Sequence, residues 1–491
     1  MESRMLLLIR HLLLLFLCFT YSLERSNSTG VFRVQRKFSG QRQSIADLRA
    51  HDVRRHDRIL LGSGAVDLPL GGLGLPTATG LYYAQIGIGN PSKSYYVQVD
   101  TGSDILWVNC ITCRFCPKKS DLGIELTLYD PKTSVSGSVV SCKGSFCSST
   151  YGGDIPGCST DMPCEYKVQY GDGSSTSGFF TSDSLQYDQV SGDHQTKAAN
   201  STIIFGCGTQ QSGDLGSSSE ALDGILGFGQ SNTSMLSQLA SAGKVRKIFA
   251  HCLDTINGGG IFAIGNVVQP KVKTTPLVQD TSHYNVILKS IEVGGSSSKL
   301  QTDTFQTGDM KTIIDSGTTL AYLPEELFKP LMNKIFSYQP DLNFQTIQNF
   351  LCFQFFGSIE DAFPKITFIF EDSLELLIYP RDYFFENGDS IWCTGFQNSA
   401  LQSRDGKDIF LLGDLVLSNK LVVYDLENQV IGWTDYNCSS SIKIEDDKTG
   451  AMYTVDAQNI SSARSLDIKG MFITLVLLLQ MTCIMLIIIF Y

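Results

Sequence analysis

Apolar and polar residues alternate along much of the chain with the two-residue period of β-strands, and long helical patterns are few. Residues 81–88 alternate before a turn signal at residues 89–91, and residues 95–99 return as a strand that leads to Asp100. Alternation bounded by turn-forming residues is typical of half-buried strands. The 45 glycines, 29 phenylalanines and 19 tyrosines add residues that favour turns and strands. We therefore expect a mainly β protein.

One segment of this pattern occurs twice. Residues 96–108 read YVQVDTGSDILWV, and residues 312–320 read TIIDSGTTL. In each copy β-branched residues lead to an aspartate, Asp100 or Asp315, which is followed by a hydroxyl residue, a glycine and another hydroxyl residue. The apolar run predicts a buried strand, and the glycine allows a sharp turn. Each aspartate should therefore lie in a tight loop just after a strand.

The repetition extends beyond these loops. Two apolar residues and a glycine follow the first loop at residues 225–227 and the second loop at residues 411–413. An internal duplication is the simplest explanation. Two facing loops would bring two carboxylates together. Because like charges at short distance cannot both form cheaply, such a pair shares one proton, and one carboxylate can act as a base while the other acts as an acid.

Length and charge limit the classes of function. The 491 residues, 43% of them hydrophobic, are enough for two lobes. The net charge of −11 argues against a nucleic-acid partner. Residues 31–60 have the opposite sign, with eight Arg and Lys against three Asp. This basic segment is either a solvated helix or a cover for an acidic cleft that is released when the acids are protonated.

The two ends of the chain contain candidate processing signals. Residues 1–22 combine Arg4 with apolar runs and predict a secretory signal peptide. We interpret residues 23–75 as a basic prosegment and linker. The glycine-rich stretches at residues 61–64 and 71–74 are the expected accessible place of cleavage.

Secretion gives the cysteines a structural interpretation. Without Cys18 and Cys483, twelve remain, and an even number in an oxidising compartment predicts six disulfides. We expect Cys352 to pair with Cys393, because both flank a short strand-rich span in the second half. The spacing of three of them would also suit zinc, but no second ligand cluster follows. The twelve are Cys110, Cys113, Cys116, Cys142, Cys147, Cys158, Cys164, Cys207, Cys252, Cys352, Cys393 and Cys438.

Glycosylation acceptors fit passage through the secretory pathway. The Asn-x-Ser/Thr pattern occurs once in the predicted prosegment, at Asn27. In the pattern that begins at Asn437, the middle residue is Cys438, which is itself a candidate for a disulfide. The sites predicted in the mature chain are Asn200, Asn232, Asn437 and Asn459.

After Cys438 the composition becomes polar, and we expect a linker over residues 438–463. Residues 464–491 begin with a short polar spacer and end in an almost wholly apolar tail from Met471, long enough to span a bilayer. Small residues before the spacer predict a GPI-attachment signal with Ser461 or Ser462 as the attachment site. A retained tail anchor is the alternative. Both predict that the protein is held at the extracellular face of the cell membrane.

The joint set of motifs resembles the pepsin-like aspartic proteases. It consists, in order, of Asp100-Thr101-Gly102-Ser103, the hairpin at Tyr170-Gly171-Asp172-Gly173, the apolar-apolar-Gly segments and Asp315-Ser316-Gly317-Thr318. The cysteines between Cys110 and Cys164, with residues 205–208, are similar to the cysteine-rich nepenthesin and nucellin branch found in plants. The resemblance covers roughly residues 78–437.

The resemblance implies a bilobal fold, with two β-barrel-like lobes at residues 76–270 and 271–437 and a cleft between them. It implies hydrolysis of peptide bonds at acidic pH after release from a zymogen. Asp100 and Asp315 would hold one water molecule. The partner would be a protein or peptide substrate, and we expect a monomer that needs no cofactor and no metal.

The resemblance also gives roles to residues around the dyad. Dyad support would come from Gly102, Ser103, Gly317 and Thr318. Tyr170 and Gly171 would belong to a flap that closes over substrate, with Trp107 packed behind it. Asp104 stands where pepsins have a small uncharged residue, and it either tunes the dyad or is exposed. A catalytically silent relative that binds a protein or polysaccharide is the rival hypothesis.

Overall fold

The computed structural model describes residues 64–77, 80–295, 300, 310–399, 409–446 and 449–460. The chain divides into two compact units, residues 1–57 and 58–491, and every described residue belongs to the second. The predicted signal peptide, the basic segment at residues 31–60, Asn27, Ser461, Ser462 and the apolar tail lie outside the described residues. Within the described part, no helix has both the length and the apolarity that a membrane span requires.

The first half of the described chain is built mainly from strands. They are β1 (Val66–Asp67), β2 (Leu70–Leu73), β3 (Leu81–Ile88), β4 (Lys93–Asp100), β5 (Leu106–Arg114), β6 (Ser138–Val139), β7 (Glu165–Gln169), β8 (Ser175–Gly192), β9 (Gln195–Ser212), β10 (Gly224–Gly227), β11 (Ile248–Leu253), β12 (Gly260–Ile264), β13 (Asn266–Gln269) and β14 (Lys273–Pro276).

The second half continues in the same way. Its strands are β15 (Asn285–Val293), β16 (Met310–Ile314), β17 (Ala321–Leu323), β18 (Phe344–Ile347), β19 (Phe350–Gln354), β20 (Ile366–Phe370), β21 (Glu375–Ile378), β22 (Phe384–Glu386), β23 (Ile391–Thr394), β24 (Phe396–Asn398), β25 (Leu411–Leu412), β26 (Lys420–Asp425), β27 (Val430–Asp435), β28 (Ser441–Asp446) and β29 (Ala451–Asp456).

Helices in the described residues are short. The longest, α3, begins after Pro324, whose fixed backbone suits a helix start. They are α1 (Ser145–Tyr151), α2 (Met235–Ser241), α3 (Glu325–Phe336), α4 (Ile359–Ala362) and α5 (Asp414–Leu417), with 3-10 turns at Gly213–Gly216, Glu371–Ser373 and Pro380–Asp382.

The strands assemble into a mainly β, bilobal fold, which confirms the expected fold class. A 15-stranded sheet has the order β14-β27-β26-β11-β12-β1-β8-β9-β5-β10-β4-β3-β2, with β6 and β7 paired to β8. The second lobe has a seven-stranded sheet, β21-β20-β15-β16-β25-β17-β24, and a four-stranded sheet, β18-β19-β23-β22. The hairpin β26–β27 belongs to the largest sheet and connects the end of the second half to strands of the first.

The internal duplication is visible in the strand pairing. β4, which ends at Asp100, pairs in parallel with β10, and β10 pairs antiparallel with β5. β16, which precedes Asp315, pairs in parallel with β25, and β25 pairs antiparallel with β17. In both halves the apolar-apolar-Gly segment therefore lies between the two strands that flank an aspartate loop. This arrangement fixes the position of each loop in its lobe.

All twelve cysteines predicted to be bonded form disulfides. Cys352 pairs with Cys393, as expected from the sequence. Cys110 and Cys113, two members of the motif that would also suit zinc, are bonded to Cys207 and Cys116, which confirms the disulfide interpretation. The remaining pairs are Cys142–Cys158, Cys147–Cys164 and Cys252–Cys438.

The prediction of an accessible linker before the first lobe is wrong from Gly64 onward. β1 pairs with β8 and β12, and β2 pairs with β3, so residues 64–74 are mostly buried within the largest sheet. Gly72 has a φ of 94°, and a Cβ there would lie 2.3 Å from the carbonyl oxygen of Leu81. Gly72 therefore permits close packing of β2 against β3, and the glycine-rich stretch does not form an open loop.

The prediction of a polar linker after Cys438 is also wrong for the residues that the structure describes. β28 and β29 form an antiparallel hairpin, and β28 pairs with β13. We call residues 438–460 the C-terminal strap. Its side chains Ile442, Ile444 and Val455 are buried in one cluster with Ala65 and Val190. The strap is therefore part of the folded body and covers the start of β1.

Candidate active site

Both aspartates lie at strand ends, as the sequence predicted. Asp100 is the last residue of β4, and Asp315 directly follows β16. Their exposed fractions are only 6% and 7%, so both carboxyl groups are nearly removed from water. Each loop turns back on itself at the following glycine.

The two loops hold their carboxylates with matched hydrogen bonds. The Gly102 amide donates to Asp100 Oδ1 over 2.8 Å, and the Ser103 hydroxyl donates to Asp100 Oδ2. In the second loop, the Gly317 amide donates to Asp315 Oδ1 over 2.8 Å, and Thr318 Oγ1 donates to Asp315 Oδ2 over 2.7 Å. Four donors thus fix the planes of the two carboxyl groups.

The two carboxyl groups face each other closely. A Cβ added to Gly102 would lie 2.7 Å from both carboxylate oxygens of Asp315, and one added to Gly317 would lie 2.0 Å from Asp100 Oδ1. Each loop therefore needs a glycine opposite the carboxylate of the other loop. The structure brings Asp100 and Asp315 together in the arrangement that the sequence repeat predicted.

Two residues that received no role from the sequence tie the loops together. Thr101 Oγ1 accepts from the Ser316 amide over 2.8 Å and donates to the Ile314 carbonyl over 3.5 Å. The Ser316 hydroxyl in turn donates to the Val99 carbonyl over 3.5 Å. Both residues are 1% exposed. The sequence offered one indication of this role, because a hydroxyl residue follows the aspartate in both copies of the repeat.

The protonation of Asp100 is shifted by its surroundings. Burial is the largest cause that raises its pKa, and the charge of Asp315 adds to it, while the hydrogen bonds from Ser103 and Gly102 oppose the rise. Two adjacent carboxyl groups titrate as a unit. The raised pKa favours a proton on Asp100 at a pH where an isolated aspartate would be ionised.

A third carboxyl group, Asp414, lies behind the dyad at the start of α5. It is 1% exposed, and its amide donates to the Thr318 carbonyl over 2.7 Å. Burial, followed by the charges of Asp315 and Asp100, raises the pKa of Asp414 well above its ordinary value. A raised pKa favours the neutral form of Asp414, which limits the negative charge beside the dyad.

The predicted flap residue Tyr170 lies at the tip of the β7–β8 hairpin. Its hydroxyl accepts a 2.7 Å hydrogen bond from Trp107 Nε1. Trp107 is 2% exposed and packs in a cluster with Tyr166, Phe180 and Ile225. Gly171 follows Tyr170, and a Cβ at Gly171 would meet no heavy atom within 4 Å. Tyr170 and Trp107 therefore lie together on the first-lobe side of the dyad.

Asp104 is not an exposed residue. Its Oδ1 accepts from the Ser231 amide over 2.9 Å, and the backbone at Gly229 approaches it closely. Burial raises the pKa of Asp104, while the Ser231 amide and the charge of His283 oppose the rise. The side chain thus joins the loop after β4 to the loop after β10.

A cleft of about 1140 Å³ contains both dyad carboxylates and Tyr170. No Lys or Arg occurs among the described residues that line it. Within the described ranges, no group of three or more His, Cys, Asp or Glu side chains is arranged to hold a metal ion. The acidic residues lining the cleft are Asp100, Asp104, Asp172, Asp214, Glu220 and Asp315.

The predicted glycosylation sites differ in their accessibility. Asn200, Asn232 and Asn437 are exposed. Asn459 is partly buried in the C-terminal strap, and its Nδ2, the atom that a glycan would occupy, donates to the Asn257 carbonyl over 2.5 Å. A glycan on Asn459 would therefore displace this contact, whereas the other three acceptors are open.

Comparison with known proteins places this site in a family context. Residues 82–266 match the family model described as xylanase inhibitor N-terminal, and residues 283–435 match the model described as xylanase inhibitor C-terminal. Aspartic proteinase 36 of Arabidopsis thaliana is 50% identical over 450 residues, which cover 91% of this chain and 92% of the relative. Aspartic proteinase 39 of the same plant is 46% identical, with 92% and 94% covered.

A solved structure supports the fold. The crystal structure of basic 7S globulin from soybean matches with a TM-score of 0.60 and 19% sequence identity, covering 77% of this chain and 96% of that one. At this level of identity the similarity concerns the path of the chain alone.

Proposed function

Because the chain belongs to the pepsin-like aspartic proteinase family, we propose that it is an active endopeptidase that hydrolyses peptide bonds with the dyad Asp100 and Asp315. The observation that carries this proposal is the facing pair of buried carboxyl groups, each held by two donors from its own loop. A proton-sharing pair supplies an acid and a base at one place.

In the proposed reaction, the ionised carboxylate removes a proton from a water molecule as the water oxygen attacks the scissile carbonyl carbon. The protonated carboxyl group donates a hydrogen bond to the carbonyl oxygen, where negative charge develops. The carbon–nitrogen bond then breaks, and the leaving nitrogen takes a proton from the dyad. The products are a free carboxyl group and a free amine, and the dyad returns to its singly protonated form.

The surroundings of the dyad support this chemistry. The hydrogen bonds between Thr101 and the second loop hold the loops together, so the two carboxyl groups keep their separation. Tyr170 lies at a hairpin tip above the cleft, where closure of the hairpin would exclude water around the substrate.

We also propose that the protein is made as a zymogen of the nepenthesin-like branch and acts at acidic pH outside the cell. The sequence signals for secretion, the basic segment at residues 31–60 and the C-terminal GPI-type signal support this placement. The substrate is a protein or peptide, and the acting species is a monomer.

A second candidate is a catalytically silent inhibitor or binding protein. The family models matched here are named after xylanase inhibitors, which favours this alternative. Against it, both aspartates, both glycines opposite them and all four carboxylate donors are present in this chain.

Turnover of an unfolded protein by the purified ectodomain at about pH 4 would distinguish the two candidates. We expect cleavage that a pepstatin-type inhibitor blocks. Asp100→Asn and Asp315→Asn should each lower kcat by about 10³-fold or more, because either change removes the shared acid and base. Asp161→Asn is the matched control, since this aspartate is exposed and far from the dyad loops in sequence. Absence of turnover in both the wild type and the control, after release of the prosegment, would favour the silent binder.

A further inference from the structure

The first-lobe wall of the cleft is apolar beside the dyad. Ile105, Leu215 and Tyr170 pack against the buried cluster that contains Trp107 and Ile225. All five residues line the cleft. This wall offers a hydrophobic surface to a substrate side chain.

The rim of the same wall carries two carboxylates, Asp214 in the 3-10 turn Gly213–Gly216 and Glu220 in the loop that follows. Neither side chain forms a hydrogen bond or an ion pair with any described residue. The other acids of the cleft beside the dyad differ, because Asp104 accepts from the Ser231 amide and Asp172 accepts from the amide and hydroxyl of Ser174. The rim pair therefore has carboxylate oxygens that the described part of the protein leaves available.

No Lys or Arg among the described residues of the cleft balances the charge of the rim pair. Partial burial and, after it, the charge of Asp214 raise the pKa of Glu220, because like charges close together disfavour ionisation. No described Lys or Arg side chain of the cleft compensates this repulsion. A positively charged ligand group at the rim would gain attraction from both carboxylates.

We propose that this wall selects substrates with a lysine or arginine side chain, whose stem lies on Leu215 and Ile225 and whose charged head lies at Asp214 and Glu220. Lysine and arginine combine a long apolar stem with a terminal cation, which matches an apolar wall with an acidic rim. This inference rests on the proposed endopeptidase function. It adds the class of substrate, a peptide with a basic residue at one defined position near the scissile bond.

The test is a mixture of peptides that share one cleavable sequence and differ at a single position, occupied by Lys, Arg, norleucine or Glu. Cleavage by the purified ectodomain is followed by mass spectrometry, and each position is varied in turn. At one position we expect Lys and Arg to be cleaved with a kcat/KM about tenfold above that of norleucine, because two partly exposed ion pairs contribute about this much. Glu at that position should be the poorest substrate.

The double variant Asp214→Asn with Glu220→Gln keeps the size of both side chains and removes their charges. The Lys to norleucine ratio of kcat/KM should fall to near one, and the control Asp161→Asn should keep the wild-type ratio. A ratio measured within one preparation does not depend on how much of the protein is active. An unchanged ratio in the double variant, or a wild type that disfavours Lys at every position, would overturn the specificity proposal.

The pH dependence gives a second readout. Because the pKa of Glu220 is raised, the preference for Lys should increase with pH above the range in which an ordinary glutamate ionises, as Glu220 ionises beside Asp214. The other titratable groups that line the described cleft, Asp104, Asp172, His283, Tyr170, Tyr322 and the dyad, are unchanged in the double variant, so a pH dependence that this variant loses belongs to Asp214 and Glu220. Cleavage of all peptides without preference contradicts only this inference, whereas cleavage of none contradicts the proposed function itself.

Discussion

At the scale of a single residue, position 317 must be a glycine because no side chain fits there. The space for its Cβ is already taken by the carboxyl group of Asp100. The same relation holds between Gly102 and Asp315. Neither glycine has a positive φ, so each is required by the space that the acid of the other loop occupies and not by the turn of its own loop.

Gly317→Ala tests this constraint. The added methyl group would force Asp100 away from its position, so we expect kcat to fall by about 10²-fold, as is typical for a displacement of a catalytic group by about 1 Å. Gly192→Ala is the control, because the atom nearest to its Cβ would be Oε1 of the flexible Gln195 side chain, at 3.3 Å. Initial rates on a protein substrate, with circular dichroism to check folding, provide the measurement. Equal rates for the two variants would contradict the close approach of the loops.

The sequence predicted the two aspartate loops and the residues that donate to each carboxylate, because each set lies within four consecutive residues and occurs twice. It was not sufficient for contacts between distant segments. The hydrogen bond from the Ser316 amide to Thr101 joins residues 215 positions apart. The burial of Asp104 depends on Gly229 and Ser231, which local alternation does not show.

At the scale of elements, the C-terminal strap shows how composition can hide a strand pattern. Residues 441–446 alternate, with Ile442, Ile444 and Asp446 buried and Lys443 exposed. The charged residues of this stretch led to the prediction of a linker, although the alternation was already present. The hydrophobic partners Ala65 and Val190 are distant in sequence, so only the folded structure shows what the strap covers.

Ile444→Ala measures how much the strap stabilises the fold. Ile444 is fully buried, and its Cγ2 would lie 2.8 Å from a Cβ at Gly265. Truncation should lower the free energy of unfolding in urea by about 2–4 kcal/mol, from lost hydrophobic contact and the cavity that remains.

Met452→Ala is the matched control within the same hairpin, because Met452 is 61% exposed. Its free energy of unfolding should stay within about 0.5 kcal/mol of the wild type. If Ile444→Ala behaved like this control, the strap would not be part of the hydrophobic core.

At the scale of the whole molecule, several buried acids make stability depend on pH. Burial raises the pKa of Asp67 and of Asp223 to about 7 in each case. Near pH 4 the folded protein holds these protons, and an unfolded aspartate begins to lose its own. Between about pH 4 and pH 7 the unfolded chain therefore binds fewer protons, and stability falls as pH rises. His251, whose pKa burial lowers to about 3, acts in the opposite direction.

Asp67→Asn isolates one of these contributions. The amide oxygen of the introduced side chain can still accept the 2.5 Å hydrogen bond that Gln458 Nε2 donates to Asp67, but this side chain does not titrate. The loss of stability between pH 5 and pH 8 should be about 2 kcal/mol smaller in this variant than in the wild type. Urea unfolding at a series of pH values measures it, with Asp161→Asn as the control. Parallel pH profiles for the wild type and Asp67→Asn would show that Asp67 ionises normally in the fold.

The strap also brings the last described residues beside the first. The Ile460 amide donates to the Leu70 carbonyl over 3.1 Å, and Gln458 contacts Asp67 on β1. A short peptide could thus join residue 460 to residue 64, and the chain could be opened instead at the exposed residues 152–154. Such a circular permutant of residues 64–460 should keep the strand pairings of the native order, because the last described residues already contact the first strands.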